Sequence, residues 1–302
     1  MRVLLFSLLL SISFSAFAQI ETPAPPSEIE ILEDTLAVLS FAIVNDSTPV
    51  KRYASCQKFI KTLVQALKHE NSFDHPFERI KAVSIQYAPD STFRIFSWQL
   101  YVDVNEYHYY GTIQMNQPTL KLYPLVDRSE EVEDPFMDIL DPKNWYGNLI
   151  YNIKSFDTDE GKKYLLFGFD GYRFFTKRKI VDVLAFDNDK AMLGAPVFEA
   201  EDSTIVNRFV LEYAADARVK MNWHDELDMV VFDHLIEMAS PYKGQESMYI
   251  PDGDTDGLKY ENGIWRYQRR ATCNCPNFES APRPQPVFQD DDRKNRIDLF
   301  GN

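Results

Sequence analysis

Near residue 80 the spacing of apolar side chains drops from three or four residues to two, and that change decides what this chain can fold into. Before it, Ile29, Leu32, Leu36, Leu39 and Ile43 form one helical stripe. Val50, Tyr53, Phe59, Ile60, Leu63, Val64 and Leu67 form a second. Asn45-Asp46-Ser47-Thr48-Pro49 separates them. Ser27 is suited to cap the first helix, because its oxygen can accept from a free amide of the first turn. Pro49 suits the first turn of the second, where its missing N–H costs nothing. Two helices joined so briefly should pack antiparallel, which predicts a helical hairpin over residues 27–79.

From residue 80 to 272 the alternation predicts strands, separated by turn residues. A first series covers 83–87, 93–104, 107–115 and 120–125. Residues 134–145 read as a short irregular or helical insert. A second series covers 149–156, 163–169, 172–176 and 180–186, with Asp170-Gly171 as a hairpin signal, since that pair tolerates the positive φ of a tight turn. A third covers 208–213, 218–223, 229–235 and 258–266. The expected fold is mainly β (α+β): antiparallel meanders, propeller-like or sandwich-like, behind an N-terminal helical hairpin. The three series do not match one another as a repeat.

The ends read differently. Met1-Arg2, the apolar run to Phe14 and Ala16-Phe17-Ala18 form the charge, apolar core and small-residue pattern of a secretory signal peptide over 1–18, with cleavage before Gln19. That run is too short to span a membrane. Residues 19–26 are a proline-rich linker, and 273–302 a proline-rich acidic tail ending beyond Asp290-Asp291-Asp292. The expectation is a periplasmic or extracellular protein without a membrane span. Its 46 acidic against 32 basic side chains argue against nucleic acid, whose phosphates need cations to displace counterions, and against anionic lipid. Cys56, Cys273 and Cys275 are an odd set for an exported chain. Spacing leaves open whether Cys56 bridges Cys273 or Cys275, or whether all three stay unpaired.

Several short stretches follow one another across roughly residues 80–270. They are Asn144-Trp145-Tyr146-Gly147, Leu165-Leu166-Phe167-Gly168-Phe169-Asp170-Gly171, Lys179-Ile180-Val181-Asp182-Val183-Leu184, Gly194-Ala195-Pro196-Val197-Phe198, Val231-Phe232-Asp233-His234-Leu235, and Tyr249-Ile250-Pro251-Asp252 with Asp256-Gly257. In these the chain resembles a group of uncharacterised secreted and periplasmic proteins of Bacteroidota. The resemblance implies export and a shared β-rich fold, and it implies no reaction.

For chemistry, Asp252-Gly253-Asp254-Thr255-Asp256-Gly257 stands out. Carboxylates at positions 1, 3 and 5 before a glycine can converge on Ca2+, as in the first half of an EF-hand loop. Position 12 is Gly263 rather than a bidentate acid, and the flanks read as strands, so an acidic turn explains the same residues. Trp223-His224-Asp225-Glu226-Leu227-Asp228 with Asp233-His234 is the densest titratable cluster, open to a transition metal or acid–base work, but it fits no zinc spacing. Cys56 has His69 and His75 near it in sequence, and no serine sits in a nucleophile elbow. The aromatics Phe96, Trp98, Tyr101, Tyr107, Tyr109 and Tyr110 could hold a glycan or a partner strand, although core filling is their ordinary use. The sequence therefore points to a noncatalytic binding or scaffold protein with a protein or glycan partner. A carboxylate-dependent, metal-assisted hydrolase is the alternative.

Overall fold

Two caps set the first layer. Ser27 donates its backbone N–H to Glu30 at 2.6 Å and opens helix α1, Glu28–Asn45. Thr48 precedes Pro49, the first residue of helix α2, Pro49–Leu67. The computed structural model describes residues 25–240 and 247–271. Within them no helix is long and apolar enough to cross a membrane.

The hairpin lies on a four-stranded antiparallel sheet of β1 (Ser84–Tyr87), β2 (Phe93–Asp103), β3 (Glu106–Met115) and β4 (Leu122–Val126), in that order. Alternation on β2 sorts its two faces. Phe96, Trp98 and Leu100 point to the helices and meet Leu36, Ile43, Phe59 and Leu63. Phe93 and Ile95 point the other way, into a second core.

That second core is shared with a middle sheet, made of β5 (Leu149–Thr158), β6 (Gly161–Asp170), β7 (Thr176–Asp187) and the short β8 (Lys190–Leu193). The chain then forms β9 (Phe198–Glu199) and β10 (Ile205–Val206) before β11 (Phe209–Ala214) returns to pair with β7. Strands β12 (Met221–His224), β13 (Met229–Ala239), β14 (Ser247–Glu261) and β15 (Ile264–Gln268) complete an outer sheet in the order β10-β9-β15-β14-β13-β12. Leu166 and Leu184 of the middle sheet face the first sheet. Leu165, Phe167, Val181 and Val183 face Phe198, Val230, Phe232, Leu258 and Trp265 of the outer one. The result is helices on three stacked sheets. It is the sandwich-like form of the expected fold; in a propeller the sheets would radiate about an axis instead of covering one another.

Four local expectations change. Residues 172–176 are not a separate strand: β6 runs to Asp170, and Gly171 to Phe175 form a loop in which Tyr172 has φ 45°. The stretch 258–266 is two strands, split at Asn262-Gly263, both with positive φ. Strand β11 belongs to the middle sheet rather than to the third series, and β8 to β10 went unread.

A buried arginine ties the first two layers together. Arg94 on β2 donates to Gln114 (2.8 Å), the His75 carbonyl (2.7 Å), the Tyr87 hydroxyl (2.6 Å) and the Ser72 carbonyl (2.6 Å). Phe73, Phe77, Tyr87 and Phe96 surround its guanidinium with ring centroids at 4.6–5.4 Å. Burial pulls its pKa down, and every hydrogen-bond partner is neutral. Ser72 in turn donates to the Leu67 carbonyl, so the end of α2 is fastened to β2 through this side chain.

Cys56 is buried against Trp98, whose indole N–H points at its sulfur at 3.4 Å, and burial raises the thiol pKa to about 11. Cys273 and Cys275 lie outside the described residues. Ala271, just before them, packs on Met229 and Val231, on the far face of the outer sheet.

Candidate functional site

The residues expected to hold calcium do not form a loop. Asp252 to Gly257 lie inside β14, which pairs with β13 through a bulge between Asp233 and Leu235. Gly253, at φ +102°, is on the bulged stretch. The three carboxylates then take three separate roles. Asp256, 1% exposed, accepts from His234 Nδ1 (2.6 Å), from the Tyr267 hydroxyl and from the Arg270 amide (2.9 Å). Although burial works against its charge, these donors hold its pKa below the usual range. Asp254 sits 3.5 Å from the Arg270 guanidinium. Asp252 accepts from the Asp254 amide, and its other oxygen is 3.9 Å from His234 Nε2. An EF-hand loop would turn these oxygens onto one point, whereas here a strand and its partners draw them apart. Among the described residues no three His, Cys, Asp or Glu side chains are grouped to hold an ion.

The second candidate cluster is also divided. Residues 225–228 turn between β12 and β13, where Trp223 donates to Asp225 at 2.9 Å and Lys259 donates to the Leu227 and Asp228 carbonyls. His224 pairs opposite Met229, five residues along β13 from His234, or about 16 Å at strand rise. His234 is instead an imidazole oriented by Asp256, which raises its pKa. Cys56 stands apart from both nearby histidines: His75 bonds Glu33 at 2.8 Å and His69 lies 3.8 Å from Glu28. The aromatic cluster is core filling in large part, with Phe96, Trp98 and Tyr109 buried and Trp98 stacked on Tyr110.

The site that the sequence did not single out is the insert between β4 and β5. Its backbone is fastened to the body at two places. Leu140 and Leu193 of β8 exchange hydrogen bonds at 2.7 and 2.8 Å, and the Asn207 and Arg208 amides both donate to the Phe136 carbonyl. Beneath it, Arg208 and Asp182 form a fully buried ion pair at 2.7 Å, and Arg208 also holds the Pro135 carbonyl at 2.6 Å. A segment anchored this firmly still leaves Phe136, Met137 and Ile139 exposed by 43%, 47% and 57%. At Ile139 opens a cleft of about 540 Å³ with Val132, Leu140 and Met192 also in its wall. It is an open depression rather than an enclosed pocket. A signal was present in the sequence: Phe136-Met137 and Ile139-Leu140 are apolar pairs in an acidic stretch with neither helical nor strand period.

No protein-family model, curated protein or solved structure matches the chain. Its own geometry therefore carries the functional argument.

One more cluster has pH-dependent consequences. At the end of β6, Asp170 is buried and accepts from the Tyr109 hydroxyl (3.0 Å) and the Tyr172 amide (2.8 Å). Burial outweighs these donors and pushes its pKa up to about 6. The folded protein thus keeps a proton that the unfolded chain loses near pH 4. This contribution to stability is complete below pH 4 and lost as pH rises through 6, a change of about 2–3 kcal/mol. Asp170→Asn keeps the acceptor and removes the ionisation. The difference in Tm between D170N and the parent should grow in favour of the variant from pH 4 to pH 6.5. A difference that stays constant over that range would refute a titrating Asp170.

Proposed function

We propose that this chain is an exported, noncatalytic binding or scaffold protein of the Bacteroidota kind that its motifs resemble, and that it engages a protein partner at the cleft beside the 133–141 insert. One observation carries this reading: a rigidly anchored segment keeps Phe136, Met137 and Ile139 in solvent. Apolar side chains exposed on a fixed backbone offer a partner buried area without the cost of ordering a loop. The charge, apolar core and small-residue pattern over 1–18, residues outside the described part of the structure, supports export. A glycan is less well served, because the aromatics that would stack on sugar rings are largely committed to the core.

Panning a random peptide display library on the immobilised mature chain tests the proposal. Enriched peptides should lose at least about fivefold in affinity for Ile139→Ser, the loss expected when one well-exposed apolar anchor is removed. An enriched set indifferent to Ile139→Ser, or no enrichment at all, would remove the cleft as the binding face. The amino terminus of the exported product, read by mass spectrometry, should be Gln19; a product that retains residues 1–18 refutes export by this signal.

A further inference from the structure

The proposed binding face has a sign of charge as well as an apolar wall. Glu131, Glu133, Asp138 and Asp141 line the cleft, against one guanidinium, Arg128, which is already paired with Glu131 at 2.9 Å. Two of these carboxylates are fixed by the local backbone: Asp138 accepts from the Asp134 amide, and Asp141 from the Lys143 and Asn144 amides. Their negative charge is therefore held beside Ile139, Leu140 and Met192. An anionic occupant would be repelled by this rim. A neutral apolar one would leave the rim charges partly stripped of water with nothing in exchange.

We infer that the occupant is a cationic segment of a protein partner, one in which an apolar side chain is flanked by Lys or Arg. The apolar residue enters between Ile139 and Met192, and the flanking cations meet the carboxylates of the rim. Lys and Arg suit this role further because their aliphatic stems can lie along the apolar wall while their charged ends reach outward. This inference rests on the cleft being the binding face, and it adds the chemical class of what binds there. The cleft lining is more one-sided than the chain as a whole, whose 46 acidic residues are accompanied by 32 basic ones.

The test uses the full mature chain and three fluorescently labelled peptides of equal length, followed by anisotropy. One alternates lysine with leucine, one alternates glutamate with leucine, and one alternates lysine with serine. The lysine–leucine peptide should bind tightest. Glu131→Gln with Glu133→Gln should weaken it about tenfold at ~20 mM salt and much less at ~500 mM, where the Debye length shrinks to a few Å. Ile139→Ser should weaken it about fivefold at both salt concentrations, because the contact removed is apolar. Equal binding of the lysine–serine peptide would reduce the effect to general attraction by an acidic surface and overturn the inference. If the glutamate–leucine peptide binds as well and still responds to Ile139→Ser, the inference falls while the cleft remains a binding face. If no leucine-containing peptide responds to Ile139→Ser, both fall.

Discussion

Arg94→Ala should cost about 2–5 kcal/mol of stability, from buried acceptors that lose their donor and from the cavity left by the side chain. The variant leaves the Gln114 amide oxygen and the His75 carbonyl without a donor, whereas the Ser72 carbonyl keeps the His75 amide and the exposed Tyr87 side chain keeps its bond to the Phe73 carbonyl. Each stranded group costs about 1–3 kcal/mol, partly offset because a desolvated cation is no longer buried. The cage of Phe73, Phe77, Tyr87 and Phe96 is left around a cavity. Lysine should not rescue it, since one ammonium cannot reproduce the planar fork that meets partners on several sides. Urea unfolding of parent, R94A and R94K decides the matter. A loss below about 1 kcal/mol in R94A would show that the arginine is dispensable packing.

The second large effect lies under the cleft. Asp182→Ala leaves Arg208 charged, fully buried and without its carboxylate, for an expected loss of about 3–5 kcal/mol. One Arg208 nitrogen, Nη2, already lacks a hydrogen-bond partner, so the pair has little reserve. Asp182→Leu combined with Arg208→Met should lose clearly less than the sum of the single changes, because neither charge is left behind. The double variant should also weaken binding of the lysine–leucine peptide, as Pro135 loses the donor that fixes the insert. Thermal melts and peptide titrations of the single and double variants test both statements. Additive losses would mean that the two side chains act independently.

Local rules were the legible part of this protein. The helix starts at Ser27 and Pro49, and the alternation along β2, come from neighbouring residues and could be read directly, although Ser27 donates to Glu30 instead of accepting from the first turn. Asn262-Gly263 was equally readable as a turn, but the apolar pattern on both sides hid it within one long strand. Asp252 to Gly257 misled because Gly and Asp usually mark turns. Here β13 pairs with Thr255, Asp256 and Gly257 and with Pro251 before them, and a bulge over Asp252 to Asp254 absorbs the misfit. The pairing of His234 with Asp256 depends on strand register across 22 residues, and Arg208 meets Pro135 across 73. An arginine inside an apolar strand is visible in the sequence as an anomaly; its partners are not. Likewise, Leu165-Leu166-Phe167 announces a strand with both faces apolar, yet which sheets cover those faces is decided by segments far away.

The double covering of the middle sheet also governs how the molecule can come apart. Losing the outer sheet would bare Leu165, Phe167, Val181 and Val183, while losing the first would bare Leu166 and Leu184. Neither partial structure has a surface that water tolerates, so the stack should melt as one cooperative unit, with the slowest-exchanging amides in β6 and β7. The insert, pinned to β8 and to the start of β11, hangs from that slowest unit. Its apolar display therefore persists for as long as the fold does, and a partner meets a finished surface rather than one it must assemble.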